Sequence, residues 1–195
     1  MGRPPDAERR EVLLQEVSRY ILREGLAELS LRPLAKELET SPRMLLYHFG
    51  SKEQLISEAL RQLRIWQQDA ATEWAEEDGP LDLPTLLRSG WAWWTSEETR
   101  PFLRLFFEVY GLALQDPDRY PRFLAHVVDD WLPLIERLLW RAGAGKATAR
   151  REATLLLAAQ RGLLLDLLAT GDQSRVNRAH EELVAELEER LGGGR

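Results

Sequence analysis

The sequence predicts an all-α protein, and three observations predict it. Apolar residues recur at i, i+3, i+4 and i+7 nearly end to end, the spacing that gathers them on one face of a helix. No segment alternates with period two, and Val and Ile, which strands favour, are scarce. Ser-Pro, Asp-Gly-Pro and isolated glycines punctuate the chain at intervals that suit helices. With 195 residues, 44% hydrophobic and 30% charged, the chain has a globular composition and enough length to bury its own core. It contains no Cys, which excludes disulfides, a Cys zinc site and thiol catalysis.

Asp6 is placed to cap a first helix with Val12, Leu13, Val17, Tyr20 and Ile21 on one face, and Gly25 to stop it. Ser30 is placed to cap a short second helix carrying Leu31, Leu34, Ala35 and Leu38, with Pro33 tolerated in its first turn. Ser41-Pro42 starts a third helix, Ser as N-cap and Pro at the first helical position, and that helix ends by Gly50. Ser51 caps a fourth, whose apolar face is Leu55, Ile56, Ala59, Leu60, Leu63, Trp66, Ala70 and Trp74. Asp78-Gly79-Pro80 then breaks the chain. Further helices are predicted over 82–98, 101–115, 119–142, 147–170 and 173–191, with Pro121 and Pro133 shortening or kinking the third of these. Residues 192–195, Gly-Gly-Gly-Arg, are expected to be a disordered tail.

The net charge of −6 argues against indiscriminate nucleic-acid binding, but it is unevenly spread. Residues 1–52 hold nine Lys/Arg against eight acids, so the remainder carries −7, and residues 40–52 contain Arg43 and Lys52 and no acid. The N-terminal Met1-Gly2-Arg3-Pro4-Pro5-Asp6 lacks an apolar leader. The greasiest stretch, Leu155 to Ala169, is interrupted by Gln160, Arg161 and Asp166 and falls short of the roughly 20 residues a bilayer requires. A cytoplasmic protein with no membrane partner is expected.

Residues 31–49 read as two short helices joined by a tight turn at Glu39–Ser41. That is the spacing of a helix-turn-helix, in which the first helix braces and the second presents its N-terminal half to the DNA major groove. Ala35 sits where the helices cross, and Leu34, Leu38, Leu45 and Phe49 can form the core beneath. Arg43, Met44, Tyr47 and His48 are then the outward side chains. Spacing alone also admits a plain helical hairpin within a larger bundle.

Residues 7–67 resemble the N-terminal domain of the TetR family of bacterial transcriptional regulators. The matching residues are Gly25, Leu29-Ser30-Leu31-Arg32, Leu34-Ala35, Ser41, Leu45, His48-Phe49, Ser51-Lys52-Glu53 and Leu55. The resemblance implies a three-helix DNA-binding domain over 7–67, with its helix-turn-helix at about 30–49, and a helical ligand-binding and dimerisation bundle over 68–191. It implies DNA contacts from Arg32, Ser41, Arg43, Met44, Tyr47, His48 and Lys52. Lys52, at a helix N-terminus, should meet a phosphate, and Arg32 is a second backbone contact. Arg43 reads either a guanine, worth about 1–3 kcal/mol of discrimination, or a phosphate. His48 is either a core residue or a phosphate donor, and Arg3, Arg9 and Arg10 can reach a groove or the backbone. Two departures from the family pattern involve three positions. Glu39-Thr40 stands where Gly and an aliphatic residue are usual, and Leu46 stands where a phosphate-touching Tyr is frequent. A left-handed Glu39 would cost about 1 kcal/mol against Gly.

Five of the seven Trp lie beyond residue 90. Trp91 and Trp94 share one helix face, and Phe102, Phe106 and Tyr110 share another. Such faces build a core or line a small-molecule site. In the family this region senses ligands, which makes Trp91, Trp94, Phe106, Tyr110, Trp131 and Gln160 the candidate ligand contacts. Gln160 and Arg161 serve either as polar floor groups or as hydrogen-bonding groups at a dimer interface. The stretch from Leu155 to Leu168 is apolar all round, and Val176, Leu183, Val184, Leu187 and Leu191 stripe the last helix. Two such pairs can bury each other across a two-fold axis, with Leu157, Leu164, Leu168, Val176, Leu183 and Leu187 as the seam.

Enzyme readings lose on spacing. Residues 142–148 glance toward a phosphate loop, but Trp140 and Ala147 stand where Gly and Ser/Thr are required. His48, His126 and His180 have no metal-ligand spacing, and Asp129-Asp130 diverge by about 100° on a helix. The sequence therefore points to a non-enzymatic homodimeric regulator without cofactor, most simply a repressor released from a palindromic DNA operator by a small, moderately apolar ligand. The alternative is a helical small-molecule-binding protein whose N-terminal module does not read DNA.

Overall fold

The computed structural model describes residues 5–25, 29–76 and 81–192; the side chains at 5, 63, 64, 66–71 and 73–76 lie outside that description. Every regular element among the described residues is helical. In chain order these are α1 (Pro5–Glu24), α2 (Leu31–Glu37), α3 (Pro42–Phe49), α4 (Lys52–Glu76), α5 (Leu83–Trp94), α6 (Arg100–Gln115), a 3-10 turn (Pro117–Arg119), α7 (Pro121–His126), α8 (Leu132–Arg141), α9 (Lys146–Thr170) and α10 (Gln173–Gly192). The expected break at Asp78-Gly79-Pro80, tail residues 193–195, Arg3, and the side chains of Leu63, Trp66, Ala70 and Trp74 lie outside the described residues. The helices gather in two compact units, one of residues 1–68 with 104–125, the other of 69–103 with 126–195.

In the first unit, α1 buries Leu13, Leu14, Val17, Tyr20 and Ile21. Val12, expected on that face, is instead half exposed, and Leu14 takes its place. Asp6 lies inside the first turn of α1 rather than capping it, because the helix already includes Pro5. Gly25 ends α1 at φ 79°, its N–H donating to the Ile21 carbonyl at 2.9 Å. Ser30 occupies the N-cap position of α2 without a side-chain bond, whereas the Ser41 hydroxyl accepts from Met44 N at 3.2 Å. Leu34, Ala35, Leu45 and Phe49 close the α2–α3 core, joined by Leu55, Ile56, Ala59 and Leu60 from α4. Each fully buried aliphatic side chain contributes about 1.5–3 kcal/mol. Residues 104–125 add Leu105, Val109, Ala113, Tyr120 and Phe123 to the buried set, and Phe106, Tyr110 and Phe123 meet ring to ring at 5.7 to 6.0 Å.

In the second unit, α9 packs against α8 and α10, and α10 against α5. The core holds Leu83, Leu134, Ile135, Leu138, Leu139, Ala149, Ala153, Leu156, Leu157 and Leu187. Two expected helices are shorter than their patterns. The 82–98 helix stops at Trp94, where the Thr99 hydroxyl lies 2.9 Å from both the Trp93 and Trp94 carbonyls. The 119–142 helix is broken after His126 and restarts at Leu132, with Pro133 in the first turn of α8, where its missing N–H costs nothing. Arg161 donates to the Val127 carbonyl inside that break.

Candidate nucleic-acid interface

The local sequence sets the shape of the α2–turn–α3 segment. Leu38 closes α2, and Glu39 then adopts φ 49°, the left-handed conformation anticipated for a non-glycine residue at this turn. Thr40 N donates back to the Ala35 carbonyl at 2.9 Å, which fixes the turn. Ala35 is buried, and α2 packs against α3. Gly50, at φ 80°, turns the chain out of α3, and the Ser51 hydroxyl caps α4 by accepting from Gln54 N at 3.1 Å.

On α3, Arg43, Met44, Leu46 and Tyr47 are exposed, Tyr47 to 68%. Lys52 is half-buried in the first turn of α4, and Arg32 and Ser41 are exposed. Among the described residues no carboxylate pairs with Arg32, Arg43 or Lys52. The segment thus offers a short projecting helix flanked by unneutralised cations.

His48 does not belong to the outward set. Its side chain is 2% exposed, Nε2 meets no partner among the described residues, and Nδ1 lies 3.7 Å from an Asp6 carboxylate oxygen. At 100° per residue, position 48 falls between the outward Met44 and the inward Leu45, and packing draws it in. Arg10, expected to reach toward a groove, is committed inside the unit. Its Nε donates to the His48 carbonyl at 3.1 Å, a terminal donor NH2 pairs with Glu58, and the guanidinium lies 4.9 Å over the Phe49 ring. It satisfies one of the open carbonyls at the end of α3 and ties α1 to α3 and α4.

Two further ion pairs fasten α4 within the same unit. Arg119 pairs with Glu53 at 2.5 Å, and Arg122 with Glu58 at 2.9 Å. The Arg119 hydrogen bond holds the Glu53 carboxyl below the usual carboxylate range. Sequence reading missed this clamp because its partners lie 66 and 64 residues apart.

The residues expected to line a ligand site are distributed between the units. Phe106 and Tyr110 belong to the first unit and pack with Phe123. In the second, Trp91 is buried, stacked on His180 at 4.4 Å, and donates to Asn177 Oδ1 at 2.8 Å, so it is a core residue. Trp94 and Trp131 remain half-buried and meet edge-on at 6.0 Å, and Gln160 is half-buried on α9. A separate open groove of about 320 Å³ is lined by Leu81, Leu83, Pro84, Leu87, Val184 and Leu187, with Glu188 at its edge. No cluster of His, Cys, Asp or Glu among the described residues could hold a metal ion.

Most residues expected at a dimer seam are already covered within one chain. Leu157, Leu164, Val176 and Leu187 are buried in their own chain, while Leu168 and Leu183 are half-buried. The uncovered side of α9 is a different stripe, with Leu155 and Leu165 about half exposed and Ala158 and Gly162 exposed between them. By length and composition α9 is apolar enough to cross a membrane, and only 28% of its most apolar window is buried in the chain.

Residues 14–59 match the sequence model described as bacterial regulatory proteins, tetR family. No curated protein matches the chain. Among solved structures, the fold is similar to that of a TetR transcriptional regulator from Legionella pneumophila (14% identity, 95% of this chain and 97% of that one, TM-score 0.68). It is similar to NalD, described as the secondary repressor of the MexAB-OprM multidrug efflux pump in Pseudomonas aeruginosa (20% identity, 93% and 94%, TM-score 0.62). A third similar structure is the multidrug-binding protein EbrR complexed with proflavin (25% identity, 92% and 99%, TM-score 0.61).

Proposed function

For a chain whose N-terminal domain is that of the tetR family and whose fold is that of TetR-type regulators, we propose a homodimeric DNA-binding transcriptional repressor. The observation that carries the reading is α3 itself, a capped helix with Arg43, Met44 and Tyr47 outward and no carboxylate pairing with Arg43 or Lys52 among the described residues. Arg43 reads a base edge, and Lys52 and Arg32 hold phosphates, with the N-terminal dipole of α4 aiding Lys52. The protein works in the cytoplasm, where its DNA is.

A single short helix reads few bases, so affinity calls for two copies on a two-fold operator. The α9 stripe supports the pairing. Leu155, Ala158, Gly162 and Leu165 recur at i, i+3, i+7 and i+10, and nothing lies within 4 Å of the space a Cβ on Gly162 would fill. A second copy of α9 can therefore approach closely.

The effector is a small, moderately apolar molecule held by the second unit. The open groove of about 320 Å³, with Leu81, Leu83, Leu87 and Leu187 along it and Glu188 at its edge, supports this, as do the half-buried Trp94 and Trp131. EbrR, similar in fold, is a multidrug-binding protein that holds proflavin. Binding releases DNA by favouring a spacing of the two recognition helices that misses successive major grooves.

Selection of bound duplexes from a random DNA pool tests the reading. A palindromic sequence should emerge. On that duplex, Lys52→Ala should weaken binding to all sequences alike and lower the salt slope by about one phosphate's worth. Arg43→Ala should relax preference at one base pair per half-site. Retention of no duplex above background would leave the small-molecule-binding alternative.

A further inference from the structure

The outward arc of α3 has an unusual chemical balance. With Arg43 taken as zero, Tyr47 lies at about 40°, Met44 at about 100° and Leu46 at about −60°, while Leu45 and Phe49 point the opposite way at about 200° and 240°. Arg43 and Tyr47 therefore occupy the middle of the arc, and Met44 and Leu46 its two flanks. Met44 is 37% exposed and Leu46 41% exposed, although the adjacent Leu45 is completely buried. Neither flank carries a group that can donate or accept a strong hydrogen bond.

Two apolar flanks on a DNA-reading helix restrict what can lie opposite them. Phosphates and most base-edge atoms are hydrogen-bonding groups, and covering them with Met or Leu strips water without replacing its bonds. The one apolar group that a base edge presents in the major groove is the C5-methyl of thymine. We propose that Met44 and Leu46 are specificity-determining residues that read thymine methyl groups on either side of the base pair met by Arg43. This rests on the DNA-reading assignment above and deepens it, since it states the composition of the half-site: an arginine-accepting guanine flanked by thymines. Met44, with three rotatable bonds and a polarisable sulfur, can follow a methyl displaced by groove geometry. Leu46 is the stiffer reader.

Deoxyuridine lacks the methyl group and pairs as thymine does, which supplies the test. The full-length protein is titrated onto the duplex selected from the random pool, and then onto duplexes in which each half-site thymine is replaced in turn by deoxyuridine. At two positions per half-site, affinity should fall about fourfold, the ratio that burial of one methyl group carries, and a fall at fewer than two overturns the paired reading. Met44→Ala should bind the thymine and deoxyuridine duplexes equally at one of these positions while keeping the discrimination at the other, and Leu46→Ala should do the reverse. Both side chains are exposed, so neither variant disturbs the core. If the selected duplex binds tightly and every deoxyuridine version binds within error of it, this inference is overturned and the DNA-reading assignment stands. Discrimination that survives in both variants overturns it as well. If no duplex is retained selectively, the assignment itself falls and the inference with it.

Discussion

Arg119 donates from both Nε, at 3.0 Å, and a terminal nitrogen, at 2.5 Å, to the same oxygen of Glu53, the residue that follows Lys52 at the start of α4. The pair spans 66 residues of sequence and bears on the turn proposed to hold a phosphate. Its carboxylate is mostly covered, at 19% exposed, while its guanidinium is 55% exposed.

Arg119→Ala should therefore cost little stability, because the guanidinium half of the pair is solvated and screened. Its larger effect should be on DNA affinity through a less constrained Lys52. In a double-mutant cycle with Glu53→Gln, the two losses in DNA affinity should be less than additive. Strict additivity would show that the bond does not act through α4.

Glu39 stands at φ 49°, where a side chain is strained and glycine is not. Glu39→Gly should raise stability by about 1 kcal/mol, less whatever the unfolded chain gains in freedom. Urea unfolding checks it, and the midpoint should rise with the slope unchanged.

The proposed pairing assigns dimerisation and folding to different faces of α9. Leu165 is 50% exposed and Leu164 6% exposed. Leu165→Glu should yield a folded monomer, visible as a halved mass in sedimentation with the helical circular dichroism intact. Leu164→Glu should instead unfold the second unit, since an unpaired buried carboxylate costs several kcal/mol. A wild-type monomer at micromolar concentration would contradict the pairing.

His180 is buried against Trp91 with both ring nitrogens unpartnered among the described residues, and burial pushes its imidazole from 6.5 down to about 4; Glu181 opposes that shift and Arg88 adds to it. The unfolded chain thus takes up a proton first as pH falls. Stability should be fully present above about pH 6.5 and should decline progressively toward pH 4, by up to about 3 kcal/mol from this group. His180→Phe keeps a ring on Trp91 and should flatten that decline. Thermal melts at pH 7.5 and 5 decide it, since parallel losses in both proteins would remove His180 as the cause.

What was legible in the sequence was local. Ser41-Pro42 announces the start of α3 because a hydroxyl acceptor and a missing N–H both suit a first turn, and the departure at Glu39 was visible because glycine is the ordinary occupant of a left-handed turn. Long-range pairs were not legible: nothing near Glu58 indicates that Arg10 and Arg122 converge on it. Periodicity also fails where a helix is apolar all round. On α9, Leu164 and Leu165 are neighbours of one residue type, and only packing decides which is core. His48 shows the same blindness for polar residues, since its position on α3 borders the buried arc and its chemistry suggests the outer one.

The strained turn has a genetic side. Either glutamate codon becomes a glycine codon through one transition at its middle base, so the relief of Glu39 is a single mutational step away. Natural chains commonly leave such gains unused, because selection acts only when stability falls below what function needs. Random mutagenesis followed by selection for heat tolerance should return this change early, and any lineage that acquires it gains room to accept a destabilising substitution elsewhere on the same helix pair.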